Sequence, residues 1–325
     1  MILHENFPLL KIGPFSGKDE MSPLRIATRS SALAKIQANQ VRGNLLKNFP
    51  ELKIELVFIS TRGDEILDRP LAEVGGKALF IKALEEALIR GEADIAVHSL
   101  KDVPSLLEDA FSLLAYLNRE DPRDVFLSRQ GFKLSETPAG TRIGTSSPRR
   151  AAQIRYFYPN LLTESLRGNV PTRLAKVEVG AVDGAILAQA GLNRLDLGQH
   201  SLIREVLPLG SMLPAPGQGI IAVECLKERA AEFSNLRRAL NHAFTESAAL
   251  AERGFSASLS GDCFSPICAL AQVKGEALEL WGRVLDREGS RLVEETLVFT
   301  MKDSPELMGQ LLAERLLSRG AKDLL

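Results

Sequence analysis

The sequence predicts an α/β protein of several domains, and three features of the chain support this fold class. The chain has 325 residues, more than one hydrophobic core usually serves, and 45% of them are hydrophobic. Segments with strand and helix periodicity alternate in two successive stretches, which is typical of βα units. The last stretch differs, because three strand-like runs follow one another there. We therefore expect two α/β domains and a smaller α/β domain at the C-terminal end.

The first predicted unit runs from Arg25 to about Asn118. Ala34, Ala38 and Val41 recur at helical spacing, and Ser31 stands where it can cap that helix. In order, the predicted elements are a strand at 25–27, a helix from about 31, a strand at 53–58, a helix ending at 91 and a strand at 94–97. This alternation predicts a mainly parallel sheet.

The second predicted unit runs from about Pro122 to Ser211. Its helices are expected to begin near Pro148 and Pro171, since proline suits the first turn of a helix. Its strands are expected near 142–144, 164–166 and 184–188. The Gly/Pro-rich passage Leu207 to Gly219 that follows is typical of a hinge between elements.

The third predicted unit begins with a helix over about Glu246 to Leu259 and a loop that contains Cys263. Strands are then expected at 267–273, 278–285 and 292–299, and a closing helix from about Pro305. The full division that we predict is a tail at 1–21, domain 1 at 22–118 plus 218–238, domain 2 at 122–211 and domain 3 at 240–325.

Composition argues against several classes of protein. Lys and Arg (40) nearly balance Asp and Glu (41), so binding of nucleic acid through an overall positive field is not expected. Three cysteines are too few for a disulfide scaffold, and no ligand set for a metal is apparent. No apolar run approaches the length of a membrane helix, and the first residues do not resemble a signal peptide. We expect a cytoplasmic protein with no membrane association.

Three predicted junctions between a strand and a helix combine arginine with small hydrogen-bonding residues. They are Thr28 to Ser31, Gly144 to Arg150 and Arg167 to Arg173. Backbone N–H groups at a helix start attract anions, and a guanidinium matches a carboxylate with two hydrogen bonds. A single such junction is usually a capped helix with a solvated arginine. Three of them, at strand ends that can face one cleft, predict a ligand with several negative charges.

Two further residues are candidates for chemistry, although each also has a purely structural interpretation. Asp102 follows a buried strand and lies beside Lys101, but an aspartate there can simply cap a turn. Cys263 lies in a turn with Gly261 and Pro266, which favours accessibility, whereas free cysteines are commonly buried in apolar surroundings. His98 is interpreted as a packed core residue. Spacing alone does not decide between the two interpretations of Asp102 and Cys263.

Several long motifs, in a fixed order, resemble the hydroxymethylbilane synthase (porphobilinogen deaminase) family. The similarity extends from about Leu24 to the C-terminus. The motifs are RIATRSSALA, STRGDEILDRPLAEVGGKALFIKALEEALIRGEADIAVHSLKDVP, EDPRDVFLS, GTSSPRRAAQ, SLRGNVPTRLAKVEVGAVDGAILAQAGLNRL and LPAPGQGIIAVEC. The resemblance implies two domains like the halves of a periplasmic binding protein, and a third domain with a cysteine linked through a thioether to a dipyrromethane cofactor.

The resemblance also implies the reaction. Four porphobilinogen molecules are joined head to tail, each with loss of ammonia, and water releases hydroxymethylbilane while the cofactor stays attached. Asp102 matches the family's catalytic aspartate and Cys263 the cysteine that carries dipyrromethane. The other matching positions would bind carboxylates of cofactor and substrate. Those assigned to the cofactor are Lys101, Ser147, Arg149, Arg150 and Arg173, and those assigned to the substrate are Arg29, Ser31, Arg167 and Arg194.

The cysteine loop departs from the family pattern, which usually has Gly-Gly-Cys. Here Asp262 precedes Cys263, and an acidic neighbour disfavours the thiolate, so slower attachment of the primer is expected. Two alternatives therefore stay open: a solute-binding protein that closes two lobes around an anion, and a homologue that binds pyrroles without turnover. The family further implies a monomer, and pathway logic suggests a transient hand-off to uroporphyrinogen-III synthase.

Overall fold

The structure, a computed structural model, describes residues 22–60, 78–259 and 265–325 and contains three β-sheets. The first sheet has the strand order β2-β1-β3-β10-β4. Its strands are β1 (Leu24–Arg29), β2 (Ile54–Ile59), β3 (Ile95–Ser99), β4 (Phe111–Tyr116) and β10 (Ile221–Leu226). Helices α1 (Ala32–Asn48), α2 (Ala78–Ile89) and α6 (Ser234–Leu240) accompany this sheet.

The second sheet repeats the pattern, with the order β7-β6-β8-β5-β9. Its strands are β5 (Asp124–Ser128), β6 (Arg142–Gly144), β7 (Leu162–Glu164), β8 (Gly184–Ala188) and β9 (Ile203–Val206). Its helices are α3 (Pro148–Phe157), α4 (Val170–Glu178) and α5 (Gln189–Arg194). The predicted α/β class is confirmed for both sheets.

The third sheet is antiparallel and small, with the order β11-β12-β13. It contains β11 (Ile267–Lys274), β12 (Ala277–Leu285) and β13 (Leu292–Thr300). Helices α7 (Ala243–Ser258) and α8 (Pro305–Ser318) pack on one face of it, where Phe255, Leu280 and Leu312 are fully buried. The strands and both helices predicted for this part of the chain are confirmed.

The predicted direction of the strands needs one correction. In each five-stranded sheet, the fourth strand in the order runs antiparallel to both neighbours: β10 in the first sheet and β5 in the second. Each reversed strand is the first to be formed after the chain crosses from one sheet to the other. Each crossing thus leads into a strand that runs opposite to both of its neighbours. Both sheets are therefore mixed rather than simply parallel.

Local sequence signals account for where helices α1, α3 and α4 begin. The Ser31 hydroxyl accepts a hydrogen bond from the Ala34 N–H at 3.3 Å, and the Asn169 side chain accepts one from Thr172 at 3.0 Å. Pro148 occupies the first turn of α3, behind the cap Ser147. These caps satisfy N–H groups that have no partner inside the helix. The helix starts predicted near 31, 148 and 171 are confirmed.

The strand predicted at 164–166 lies two residues earlier, at Leu162–Glu164. The Leu166 carbonyl accepts a hydrogen bond from the Ser146 hydroxyl at 2.9 Å instead of one from a strand partner. The Leu166 side chain is buried against Gly144, where an added Cβ would come within 2.8 Å of it. Residues 165–169 therefore form the turn into α4.

The passage predicted as a hinge contains neither helix nor strand between Leu207 and Gly219. It is nevertheless held tightly, because Leu207, Met212 and Leu213 are fully buried. The Pro214 carbonyl accepts a hydrogen bond from Ala269 of β11 at 3.1 Å. Within the three described ranges, no helix combines the length and apolar character that a bilayer crossing requires.

Candidate active site

A single turn after β3 carries the predicted catalytic aspartate. Residues Leu100–Asp102 form one 3-10 turn, in which the buried Leu100 donates its N–H to the Ile220 carbonyl at 2.9 Å. The Val103 N–H closes the turn on the Leu100 carbonyl at 3.0 Å. Because Leu100 anchors the turn in the core, Lys101 and Asp102 remain half-buried at the carboxyl end of the strand.

A crevice between the first two sheets brings together four of the predicted cations. Lys101 comes from the first sheet, and Arg150, Arg173 and Arg194 come from the helices of the second. Gly217 and Gly219 of the returning passage line it as well. Arg194 donates to the Gly219 carbonyl at 2.7 Å. The crevice is thus a positively charged space formed by both sheets.

Electrostatics connect Asp102 with this group of cations. The pKa of Arg173 is lowered to about 10, mainly by burial and also by the charges of Arg150 and Arg167, while the carboxylate of Asp102 opposes this shift. All three groups therefore lie close enough to Arg173 to influence its charge. Burial also lowers the pKa of Arg194, against the effect of Glu120. An arginine with a pKa near 10 stays protonated at neutral pH, so the crevice keeps its positive charge.

Arg167 has an unused donor in this region. One terminal nitrogen of its guanidinium is buried and has no hydrogen-bond partner among the described residues. A buried donor without an acceptor is costly, and a bound carboxylate would relieve that cost. Together with the neighbouring Arg173, this nitrogen fits a ligand that carries carboxylates.

Arg149 and Arg150, which the family resemblance assigns to carboxylates of the cofactor, already contact a carboxylate of the protein itself. Both are buried and share one carboxylate: Arg149 contacts Asp124 at 2.8 Å and Arg150 contacts it at 2.7 Å. Arg149 also donates to the Leu213 carbonyl at 2.6 Å and Arg150 to the Ile186 carbonyl at 3.0 Å. The Nε of each has no hydrogen-bond partner in the described part of the chain. Arg150 lines the crevice, whereas Arg149 lies behind it.

The remaining predicted residues are not among those that line the crevice. Ser31 and Ser147 act as helix caps, and Arg29 ends β1 beside Ser31. None of these three is among the described residues that line the crevice, although Gln37 of α1 is. Gln37 donates to the Ser99 hydroxyl at 2.8 Å, next to the turn that carries Asp102.

Sequence reasoning missed two buried polar residues here, Asp124 and Gln218. Asp124 has no exposed surface, and the charges of its two arginines hold its pKa well below the usual range although burial opposes ionisation. Gln218 is 1% exposed and donates to Asp124 at 2.8 Å. A signal was present for each: Asp124 is a charge in an otherwise apolar strand, and Gln218 stands between two glycines.

The structure describes two of the three cysteines. Cys225 and Cys268 are fully buried, and burial raises their thiol pKa to about 11 and about 12. Both are therefore poor nucleophiles, as expected from their apolar strands. Cys263, predicted to carry the cofactor, lies outside the described residues, as do its neighbours Asp262 and Phe264.

His98 is a packed core residue, as the sequence indicated. Its ring nitrogen Nε2 lies 3.0 Å from a carboxylate oxygen of Glu224, and both side chains are buried. His98 lies only three residues before Lys101 in the chain, but its partner Glu224 belongs to the core of the first sheet.

Comparison with known proteins identifies, over nearly the whole chain, the same family that the sequence motifs resemble. Residues 24–233 match the family model for the porphobilinogen deaminase dipyromethane cofactor binding domain, and residues 247–318 match that for the porphobilinogen deaminase C-terminal domain. Porphobilinogen deaminase from Stenotrophomonas maltophilia is 48% identical over 305 residues, covering 94% of this chain and 99% of that protein. The enzyme from Geobacter metallireducens is 46% identical over 308 residues, covering 93% of each chain.

Solved structures give more distant similarities. The periplasmic VFT2 domain of Bordetella pertussis BvgS has a TM-score of 0.41 and 16% identity, covering 66% of this chain and 86% of that one. A periplasmic sulfonate-binding protein from Methylobacillus flagellatus has a TM-score of 0.40 and 13% identity, covering 71% and 67%. Family models over both parts of the chain, and relatives of nearly full length, show that the chain belongs to the porphobilinogen deaminase (hydroxymethylbilane synthase) family.

Proposed function

We propose that this chain carries out its family's reaction in the crevice between the first two sheets, with Asp102 as the catalytic carboxylate. The reaction joins four porphobilinogens into hydroxymethylbilane and releases four ammonia molecules. The observation that carries this proposal is the crevice lined by Lys101, Arg150 and Arg173, with Asp102 and Arg167 close enough to Arg173 to affect its pKa. A carboxylate beside several cations suits a growing chain of acidic pyrroles.

The cations of the crevice would bind the carboxylates of the substrate. Every porphobilinogen adds an acetate and a propionate, so negative charge accumulates as the chain grows. We propose that these groups are bound by Arg29, Ser31, Arg167 and Arg194. The lowered pKa of Arg173 and Arg194 supports this, because their charges are poorly compensated until an anion binds. Charge-assisted hydrogen bonds to carboxylates are among the strongest in proteins.

Asp102 is proposed to stabilise positive charge on the reacting ring. Its carboxylate can accept hydrogen bonds from pyrrole N–H groups and hold the substrate ring in place when ammonia leaves. An oriented charge of this kind typically contributes about 3–4 kcal/mol to a transition state. Lys101 precedes Asp102 in the same turn, and Arg173 interacts electrostatically with the Asp102 carboxylate.

The dipyrromethane cofactor of the family fits the residues of the crevice. The unused Arg167 donor and the grouped cations suit a group with several carboxylates. When bound, dipyrromethane supplies the terminal pyrrole to which the first substrate is joined. Lys101, Ser147, Arg150 and Arg173 are proposed to hold its carboxylates. Arg149, which lies behind the crevice, is proposed to act on it mainly through its shared contact with Asp124.

Replacement of Asp102 tests the catalytic assignment. Asp102→Asn should fold and carry the cofactor mass, but lose about 100- to 1,000-fold in kcat because the amide no longer stabilises positive charge. Turnover is measured as uroporphyrin formed from porphobilinogen after oxidation, and cofactor by intact mass. Asp109→Asn, at an exposed position a few residues later, is the matched control and should behave as wild type. Wild-type turnover in Asp102→Asn would remove the aspartate from the mechanism.

Cofactor attachment at Cys263 is tested by mass. Protein from cells that make porphobilinogen should be heavier than its sequence by one dipyrromethane. Cys263→Ser should lose this added mass, whereas Cys268→Ser should keep it because the Cys268 thiol is buried and inert. An unmodified wild-type chain would contradict the attachment.

We further propose the three-domain division at 22–118 plus 218–238, 122–211 and 240–325, which follows the three sheets and the two crossings between the first two. A monomeric state, a cytoplasmic location and a transient hand-off of product to uroporphyrinogen-III synthase complete the proposal. Size-exclusion chromatography with light scattering tests the first of these, and cell fractionation tests the second.

A further inference from the structure

Gln218 lies in the passage by which the chain returns from the second sheet to the first, and its backbone is fixed from both sides. Gly217 and Gly219 have φ values of 73° and 90°, which favour glycine. A Cβ on Gly217 would lie 2.8 Å from Leu100, and one on Gly219 would clash with the Glu120 carbonyl oxygen. Both flanking positions therefore require glycine for space as well as for conformation.

The backbone of this tripeptide also makes several hydrogen bonds. Glu252 accepts the Gly217 N–H at 2.6 Å, and Arg119 donates to the Gln218 carbonyl at 2.9 Å. Few degrees of freedom remain for the residue between the glycines. Its side chain is consequently directed into the space between the two sheets.

The side-chain amide of Gln218 joins groups from both sheets. Its oxygen accepts a hydrogen bond from the Lys101 ammonium at 3.4 Å. Its nitrogen donates to the Pro122 carbonyl at 2.7 Å and to Asp124 at 2.8 Å. Two acceptors on one side and a cation on the other fix which end of the amide is which. An amide in this position satisfies both neighbours, and neither a carboxylate nor an ammonium would do so.

We propose that Gln218 is a positioning residue that couples Lys101 to the buried cluster of Asp124, Arg149 and Arg150. Asp124 uses its two oxygens for these arginines and shares one of them with Gln218. Lys101 lies next to Asp102 in the turn after β3. The amide thereby fixes the ammonium beside the catalytic carboxylate relative to the arginines of the second sheet. This inference rests on the proposed function, since it assigns Gln218 a role through Lys101.

Loss of the amide should lower turnover more than it lowers stability or substrate affinity. Gln218→Met has a similar volume but lacks all three hydrogen bonds, and kcat should fall by about tenfold with KM changed by less than about threefold. Gln218→Asn keeps the amide chemistry, but its shorter side chain cannot reach Lys101 and Asp124 together. It should show a smaller loss in the same direction and serves if the methionine variant folds poorly. Gln40→Met, at an exposed position of α1, is the matched control.

The test is a double-mutant cycle with Lys101→Met, measured as kcat on cofactor-loaded protein checked by intact mass. If Gln218 acts through Lys101, its replacement in the Lys101→Met background should change kcat by less than about twofold. Fully multiplied losses would overturn the inference, and so would wild-type kcat in both Gln218 variants. Wild-type kcat in Lys101→Met alone would instead contradict the proposed role of Lys101.

Discussion

At the scale of single residues, the site depends on buried charges that the crevice does not expose. Asp124 has no exposed surface, yet it balances two guanidinium groups. Removing one member of such a group is strongly destabilising, because it leaves the remaining buried charges without their partner. Asp124 thus orients Arg149 and Arg150, of which Arg150 lines the crevice.

Asp124→Asn should therefore destabilise the protein by about 3–5 kcal/mol, since two buried arginines lose their counter-charge. Denaturant unfolding at pH 7 measures this free energy. Asp121→Asn is the control, because its contact with Arg123 is partly exposed and should contribute less than about 1 kcal/mol. Equal stability of the two variants would contradict this account.

The same group makes a definite contribution to the pH dependence of stability. The folded pKa of Asp124 lies below its ordinary value of 3.8, held down by the two arginines against the effect of burial. The stabilisation is therefore present above about pH 4 and is lost as the pH falls further. Acid unfolding of Asp124→Asn should consequently be less steep than that of the wild type.

At the scale of elements, capping and periodicity predicted most of the fold. The starts of α1, α3 and α4 were predicted from Ser31, Pro148 and Pro171, which act within one turn of their own helix. The reversed strands β5 and β10 could not be predicted in the same way. Their direction depends on which distant strand each one pairs with, and no local signal encodes that.

The candidate site shows the same division between local and non-local information. Arg150 and Arg173 belong to motifs in which a strand leads into a helix, whereas Asp102 and Arg194 were assigned by the resemblance to the family. The burial of Arg149 and Arg150 was not predicted, because it results from Asp124, some 25 residues away in the chain. Gln218 was missed for a related reason, since its partners Lys101 and Asp124 are both distant in sequence.

Helix α2 carries a second prediction about pH. The pKa of Glu85 is raised from 4.5 to about 7, mainly by burial and also by the charges of Glu224 and Glu108, against the effects of His98 and Lys82. The folded protein thus favours the neutral acid. Stability should be greatest below about pH 4.5 as far as this group is concerned, and should fall as the pH rises through about 7.

Glu85→Gln should raise the melting temperature at pH 8 and have little effect at pH 5. The corresponding gain in the free energy of unfolding at pH 8 should be at most about 3 kcal/mol. Thermal unfolding at the two pH values measures the difference. Glu86→Gln is the control, because Glu86 is the exposed neighbour on the same helix and pairs only with Arg90 at 3.4 Å among the described contacts. A stabilisation that is equal at both pH values would point to packing rather than titration.

At the scale of the whole molecule, one buried arginine links the third sheet to the second. Arg283 of β12 has no exposed surface and donates to Gln153 of α3 at 2.9 Å and to the Gly210 carbonyl at 2.7 Å. Glu294 balances its charge at 2.7 Å. Gln153 in turn holds the Leu213 N–H at 2.8 Å. Helix α3 therefore carries Arg149 and Arg150 in its first turn and the link to the third sheet further along.

This attachment would fix the proposed cofactor-bearing domain relative to Arg149 and Arg150. Arg283→Met keeps an apolar side chain in the interface but removes every donor, which leaves Gln153 and the Gly210 carbonyl without their partner. The cost should be about 3 kcal/mol, because the lost hydrogen bonds are buried and charge-assisted. Hydrogen–deuterium exchange should increase in residues 207–213 and in α3, and turnover should fall although the covalent cofactor remains.

Arg315→Met provides the comparison within the same part of the molecule. Arg315 is half-exposed and contacts Glu295 at 3.1 Å on the surface, so its loss should cost less than about 1 kcal/mol and leave exchange in 207–213 unchanged. Unchanged exchange in Arg283→Met would show that the third sheet is held by its other contacts. These include Glu252 of α7, which accepts the Ala271 N–H at 2.7 Å and also binds Arg119 and Gly217 of the two crossings.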